Sequence, residues 1–216
     1  MIALNKEKLP LYSKVFISII YTVGIFGIIF SPALFLPLTP FNLLISAGFL
    51  FYFHPNKDRN FYRFIILVYC AGFAIEMLGV QSGKIFGSYH YGNMLGFKVK
   101  ETPLIIGLNW VVLTYCTGTI VQNLSQSFFV RSLLGATLMV AFDFFIEWYA
   151  PHADFWYWQN DVIPLQNFLA WFVFSFFFNL LFCSLQLEKK NSFALFLFLI
   201  QLLFFILLNL YHQFYH

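Results

Sequence analysis

The chain has 216 residues, of which 61% are hydrophobic and only 10% charged, and its formal net charge of +3 comes from 12 basic and 9 acidic side chains. Soluble domains carry about 25% charged and about 45–50% apolar residues, and a globular protein of this length buries only about 70% of its surface. These figures exclude a soluble domain, a disordered chain, a coiled coil and a nucleic-acid binder, which needs a far denser positive surface.

An integral membrane protein remains. The chain lacks the ten-residue alternation of a membrane barrel, so the spans are read as α-helices. A bilayer core of about 30 Å takes about 20 helical residues. Apolar stretches of that length predict seven spans in chain order, at 12–31, 34–53, 61–80, 102–123, 128–150, 164–187 and 193–214, with six or eight as the alternatives. Residues 1–216 then form a single polytopic all-α membrane domain. The first span is too long, and too poorly followed by small residues, for a cleaved signal peptide. The second contains Pro37 and Pro40, which suit a first helical turn and otherwise break a helix.

Orientation follows from the basic residues, which favour the cytoplasmic side. Nine lie on the amino-terminal side: Lys6, Lys8, Lys14, Lys57, Arg59, Arg63, Arg131, Lys189 and Lys190. Three lie opposite: Lys84, Lys98 and Lys100. The amino terminus is therefore expected in the cytoplasm and, with seven spans, the carboxyl terminus outside. Cys70, Cys116 and Cys183 fall on different spans without paired spacing, and read as small packing residues.

Two connections on the outer side are unusual. Residues 81–96 carry Gly83, Gly87, Gly92 and Gly96, which permit turns and close backbone approach. Residues 149–164 carry Pro151, His152, Asp154 and the run Phe155-Trp156-Tyr157-Trp158, which also suits an interfacial aromatic belt. Six of the nine acidic residues lie on or toward this side: Glu76, Glu101, Asp143, Glu147, Asp154 and Asp161.

Three of those acids fall inside predicted spans. Each costs about 2.5–3.5 kcal/mol to insert, so each needs a partner or a purpose. Glu76 lies fifteen residues beyond Phe61, and Asp143 fifteen beyond Phe128, so both sit about 22 Å along their helices. Glu147 is one turn further and on the same face as Asp143. Asn109 with Trp110, and Asn167 with Trp171, reach a matching level on two other spans. Carboxylates, carboxamides and indoles from four helices thus converge in the outer third of the bilayer. His90 and His152 are candidate additions, whereas His54, His212 and His216 read as interfacial.

Such a cluster also suits structural hydrogen bonding between helices or a proton or ion path. No metal-ligand spacing, phosphate loop or nucleophile motif accompanies it, so no cofactor and no metal is expected. Burial favours the neutral acid and adjacent acids share protons, so Asp143 and Glu147 are expected to hold a proton at neutral pH. Aromatic faces stabilise a desolvated cation by about 2 kcal/mol or more. Acid plus aromatic lining fits protonation of a lipid alkene, after which the carbocation takes up water or closes a ring.

The run Phe86-Gly87-x-Tyr89-x-Tyr91-Gly92-x-x-Leu95-Gly96, followed by Pro103-Leu104-Ile105-Ile106-Gly107-x-Asn109-Trp110, resembles the membrane-bound carotenoid biosynthesis protein family. Asp143-x-x-x-Glu147, Trp156-x-Trp158 and Pro164-Leu165-x-Asn167-Phe168-x-x-Trp171 resemble the same family. The resemblance covers roughly residues 60–185, and one departure is Trp148, where many relatives are expected to carry proline. It implies a cofactor-independent carotenoid 1,2-hydratase of the γ-carotene, lycopene or bisanhydrobacterioruberin type, which adds water to the C1–C2 double bond of an acyclic ψ-end. Asp143, Glu147 and Glu76 would then be catalytic. Tyr89, His90, Tyr91, Asn109, Trp110, Trp158, Asn167 and Trp171 would bind substrate. The partners implied are a carotenoid, water and membrane lipid, with other enzymes of the pathway as further candidates, in a bacterial-type inner membrane with the site toward its outer leaflet. A carotenoid end-group cyclase is the alternative, followed by a transporter with a proton path.

Overall fold

The computed structural model describes residues 8–187 and 190–215. Lys6, Lys189 and His216 lie outside the described residues. Helix α1, Leu9–Phe30, stops at Ser31, and Pro32 opens the next helix as its first residue. There the missing N–H and fixed φ cost nothing. Helix α2, Pro32–Phe35, a 3-10 turn at Leu36–Leu38 and helix α3, Thr39–Tyr52, together make the second apolar crossing, Pro32–Tyr52. Pro37 and Pro40 therefore tighten this crossing locally rather than ending it.

Helix α4, Arg59–Ser82, starts at Asp58, whose carboxylate accepts from the backbone N–H groups of Asn60 and Phe61 at 2.9 Å each. That is the capping contact expected of aspartate ahead of a first turn. It ends at Gly83 in the left-handed conformation (φ 63°), which glycine adopts without steric cost. Helix α6, Phe128–Tyr149, is capped by Ser127. Helices α7, Leu165–Ser184, and α8, Ser192–Tyr215, complete the bundle.

Six of these crossings are long and apolar enough to traverse a membrane. The protein is an all-α integral membrane bundle. The fourth predicted span, 102–123, is the one that changes. Its helix, α5, covers only Ile105–Val121, because Thr102–Pro103 instead pairs as strand β3 with Lys98–Val99, strand β2. Lys100 and Glu101 form the two-residue turn between them, both with positive φ (48° and 63°), as tight hairpin turns require.

Short α5 is the axis of the bundle. It packs against α3, α4, α6, α7 and α8, and the run from Trp110 to Gly118 is buried. A helix apolar all round belongs in such a central position. Its approach to α4 depends on Gly72, where a Cβ atom would lie 2.8 Å from the Trp110 Cβ. Gly72→Val is expected to overpack this contact and cost about 1–3 kcal/mol. Thermal unfolding in detergent, followed by tryptophan emission, measures the loss.

Arg131, in the first turn of α6, is 4% exposed, donates to the Gln122 side chain at 3.0 Å and lies over the Phe128 ring. Two sequence expectations are corrected here. His54 is not interfacial but buried, 2.6 Å from the Tyr115 hydroxyl. Cys70 faces outward, while Cys116 and Cys183 are buried as packing residues. Both depend on how distant elements pack, which single residues in near-uniform apolar text do not reveal.

Candidate active site

The two long connections meet at one end of the bundle. Strand β1, Tyr89–Tyr91, pairs antiparallel with strand β4, Trp156–Trp158, matching Tyr89 with Trp158, His90 with Tyr157 and Tyr91 with Trp156. Strand side chains alternate between faces. One face of this ribbon therefore carries two phenols and two indoles, and the other carries His90 and Tyr157, stacked at 5.3 Å. Asp154, in the left-handed region (φ 51°), folds the ribbon's return. Its carboxylate accepts from the Asn93 N–H at 3.0 Å and the Tyr157 hydroxyl at 3.0 Å. A Cβ at position 92 would collide with Asp154, so only glycine lets the strands close.

Beneath the inward face lie the three intramembrane acids. Glu76 on α4 accepts from the Tyr89 hydroxyl (2.7 Å), the Tyr91 hydroxyl (2.8 Å) and the Trp110 indole N–H (2.9 Å). Glu147 on α6 accepts from the Trp156 indole (2.9 Å), the Trp158 indole (2.6 Å) and the Asn167 amide (2.9 Å). Asn167, near the start of α7, donates its second amide hydrogen to Asp143 Oδ2 at 3.1 Å. Asp143 Oδ1 is buried and has no hydrogen-bond partner among the described residues. The three acids are thus treated unequally: two receive three donors each, and one receives a single donor.

All three carboxyl groups are at most 4% exposed. Burial, and then the neighbouring Glu76, hold the Tyr89 and Tyr91 phenols well above their ordinary range. Both ribbon tyrosines therefore stay O–H donors. Glu76, Tyr89, Tyr91, Asn109, Asp143, Glu147, Trp158, Asn167 and Trp171 line one cavity of about 20 Å³, together with Phe86, Ile106, Ile146 and Trp156. About 10–15 Å³ suffices for one water, so the cavity has room for roughly one. Trp110 lies one layer deeper, stacked on Trp171 at 4.1 Å.

Of the residues singled out in the sequence, these ten come together. His90 does not: it is exposed on the outer face of the ribbon. His152 is also elsewhere, with its ring 3.5 Å from that of His212. Trp156 is the functional candidate that the site residues read from the sequence leave out, although its two-residue spacing from Trp158 is the signal that places both on one strand face. Trp148 is 60% exposed, so its side chain points away from the pocket, and the Glu147 contacts are in place. Among the described residues, no group of three or more histidine, cysteine or acidic side chains is arranged to hold a metal ion.

Fold and site together define a helical integral membrane protein with a polar, acid-lined pocket closed by a two-stranded aromatic ribbon. A family model described as carotenoid biosynthesis protein matches residues 38–216, and the chain belongs to that family. The match extends beyond both edges of the resemblance read from the motifs and takes in every residue of the pocket. No curated protein and no solved structure matches the chain significantly. Membership gives the protein a carotenoid-related biosynthetic role.

Proposed function

We propose that the protein is a carotenoid hydratase, with Asp143 as the proton donor. One observation carries this reading. Asp143, whose Oδ1 is buried and without a partner among the described residues, lines a cavity with space for one water. Three donors apiece favour the anionic form of Glu76 and Glu147, and a single donor leaves the shared proton on Asp143.

The chemistry balances without a cofactor. The Asp143 carboxylic acid delivers its proton to C2 of a terminal C1–C2 double bond, whose π electrons form the new C–H bond. A tertiary cation is left at C1. The Glu76 and Glu147 carboxylates face that positive charge, as do the aromatic faces of Trp158 and Trp171, in a site that excludes bulk water. The cavity water bonds to C1 and gives up a proton to the Asp143 carboxylate. A tertiary alcohol forms, and the acid is regenerated.

Asn109 is the residue that suits orienting the water. It lines the cavity, and its carboxamide has no hydrogen-bond partner among the described residues, whereas Asn167 already spans two acids. The basic residues, nine against three by side, support an amino terminus in the cytoplasm and a pocket toward the outer leaflet.

Expressing the chain in a cell that makes an acyclic carotenoid tests the reading by mass analysis of the pigments. Hydration adds the mass of one water for each modified end. A product of unchanged mass and shortened chromophore would establish a cyclase instead, and unchanged pigment would remove the hydratase reading.

A further inference from the structure

A second cavity, of about 90 Å³, lies beside the acid pocket and shares Ile106, Asn109, Ile146 and Trp156 with it as a common wall. Most of its lining is hydrocarbon or aromatic, including Leu43, Phe142, Phe204 and Phe205. Its polar side is built from α1, α3 and α8. The Tyr21 hydroxyl lies 3.2 Å from the Ser46 hydroxyl and accepts the Gln201 amide at 3.0 Å. This leaves two carbonyl oxygens over. Among the described residues, Gln201 is 7% exposed and its Oε1 has no partner, and Asn42 Oδ1 is likewise buried and unpartnered. Both residues line the cavity.

Unpaired acceptors in an apolar chamber cost stability unless a donor fills them. A carbonyl oxygen accepts and never donates, so the missing group is an O–H or N–H. Hydrocarbon walls with one fixed pair of acceptors match an aliphatic alcohol better than a bare hydrocarbon. We propose that this chamber is a binding site for the hydroxylated end of an isoprenoid chain, with the alcohol O–H donated to Gln201 Oε1 or Asn42 Oδ1. The inference rests on the carotenoid reading for the chain and on the chamber alone for the hydroxyl. Its use follows from the chemistry next door. A tertiary alcohol left against the acid is protonated and loses water again, because the same acid serves both directions. Withdrawal past Asn109 into the chamber removes the alcohol from Asp143.

Binding tests this without turnover. The purified full chain in nanodiscs is titrated with an acyclic polyene hydrocarbon and with the tertiary alcohol of the same polyene, reading quenching of tryptophan emission by the polyene. The alcohol should bind about tenfold more tightly, the worth of one good hydrogen bond in a site that excludes water. Gln201→Leu should remove that preference by weakening the alcohol alone and leaving the hydrocarbon unchanged. Asn42→Leu provides the same reading where loss of the Gln201–Tyr21 contact unfolds the first variant. Equal binding of the two probes by the unaltered chain, or a preference that survives both substitutions, overturns the proposal and leaves the chamber to water. A chain that retains the preference yet never hydrates a polyene would refute the hydratase reading while keeping this site.

Discussion

Asp143→Asn is expected to abolish hydration while leaving the protein folded in the membrane. The substitution is nearly isosteric, and the asparagine carbonyl still accepts the Asn167 amide that now reaches Asp143 Oδ2 at 3.1 Å. Oδ1 has no partner to lose. What disappears is the acidic proton. Loss of positioned general acid help reduces a rate by about 10²–10⁴-fold, which in a pigment-producing cell reads as no detectable alcohol. Chromatography of the pigments, together with an immunoblot of the membrane fraction, measures both halves. Full conversion by this variant would transfer the donor role to Glu147.

Glu76→Leu should behave in the opposite way, with folding failing first. Glu76 is the common acceptor for Tyr89, Tyr91 and Trp110, and it ties the ribbon to α4 and α5 at once. Its removal leaves three buried donors, each of which costs about 1–3 kcal/mol when unpaired. Hydrogen bonds within membranes average nearer 0.6 kcal/mol, because the unfolded chain also finds partners there. The larger range applies here, since two of the three donors come from a connection rather than from a spanning helix. A loss of several kcal/mol follows, seen as a lower unfolding midpoint in detergent. Adding Tyr89→Phe and Tyr91→Phe should recover part of it by removing two of the stranded hydroxyls. A single variant as stable as the unaltered chain would show that the ribbon is held elsewhere.

These two outcomes separate roles that the sequence presents alike. Glu76, Asp143 and Glu147 are each an acid in an apolar span at similar depth, and depth is a local quantity: helical rise multiplied by residue number gives it directly. Their convergence with Asn109, Asn167 and Trp171 was legible for that reason. Donor number is not local. Four of the six hydrogen bonds that saturate Glu76 and Glu147 come from Tyr89, Tyr91, Trp156 and Trp158. These residues meet through a strand pair whose members lie more than sixty positions apart. Three-residue strands are too short to show alternation in a sequence, so His90 looked as suitable as its neighbours until the pairing turned it outward.

Composition, then, determined that the chain lives in a membrane, because scarce charge leaves it no other solvent, and the length and pattern of its apolar runs determined that it does so as a helical bundle. Spacing within single helices determined that Glu76 and Asp143 share a level, with Glu147 one turn further out. Only the tertiary structure decided which acid is left with an unpartnered oxygen, that the cavity beside it admits about one water, and that a second chamber with unmet acceptors adjoins it. Those features are differences in hydrogen-bond supply among chemically similar groups, and supply is set by which distant segments fold over them.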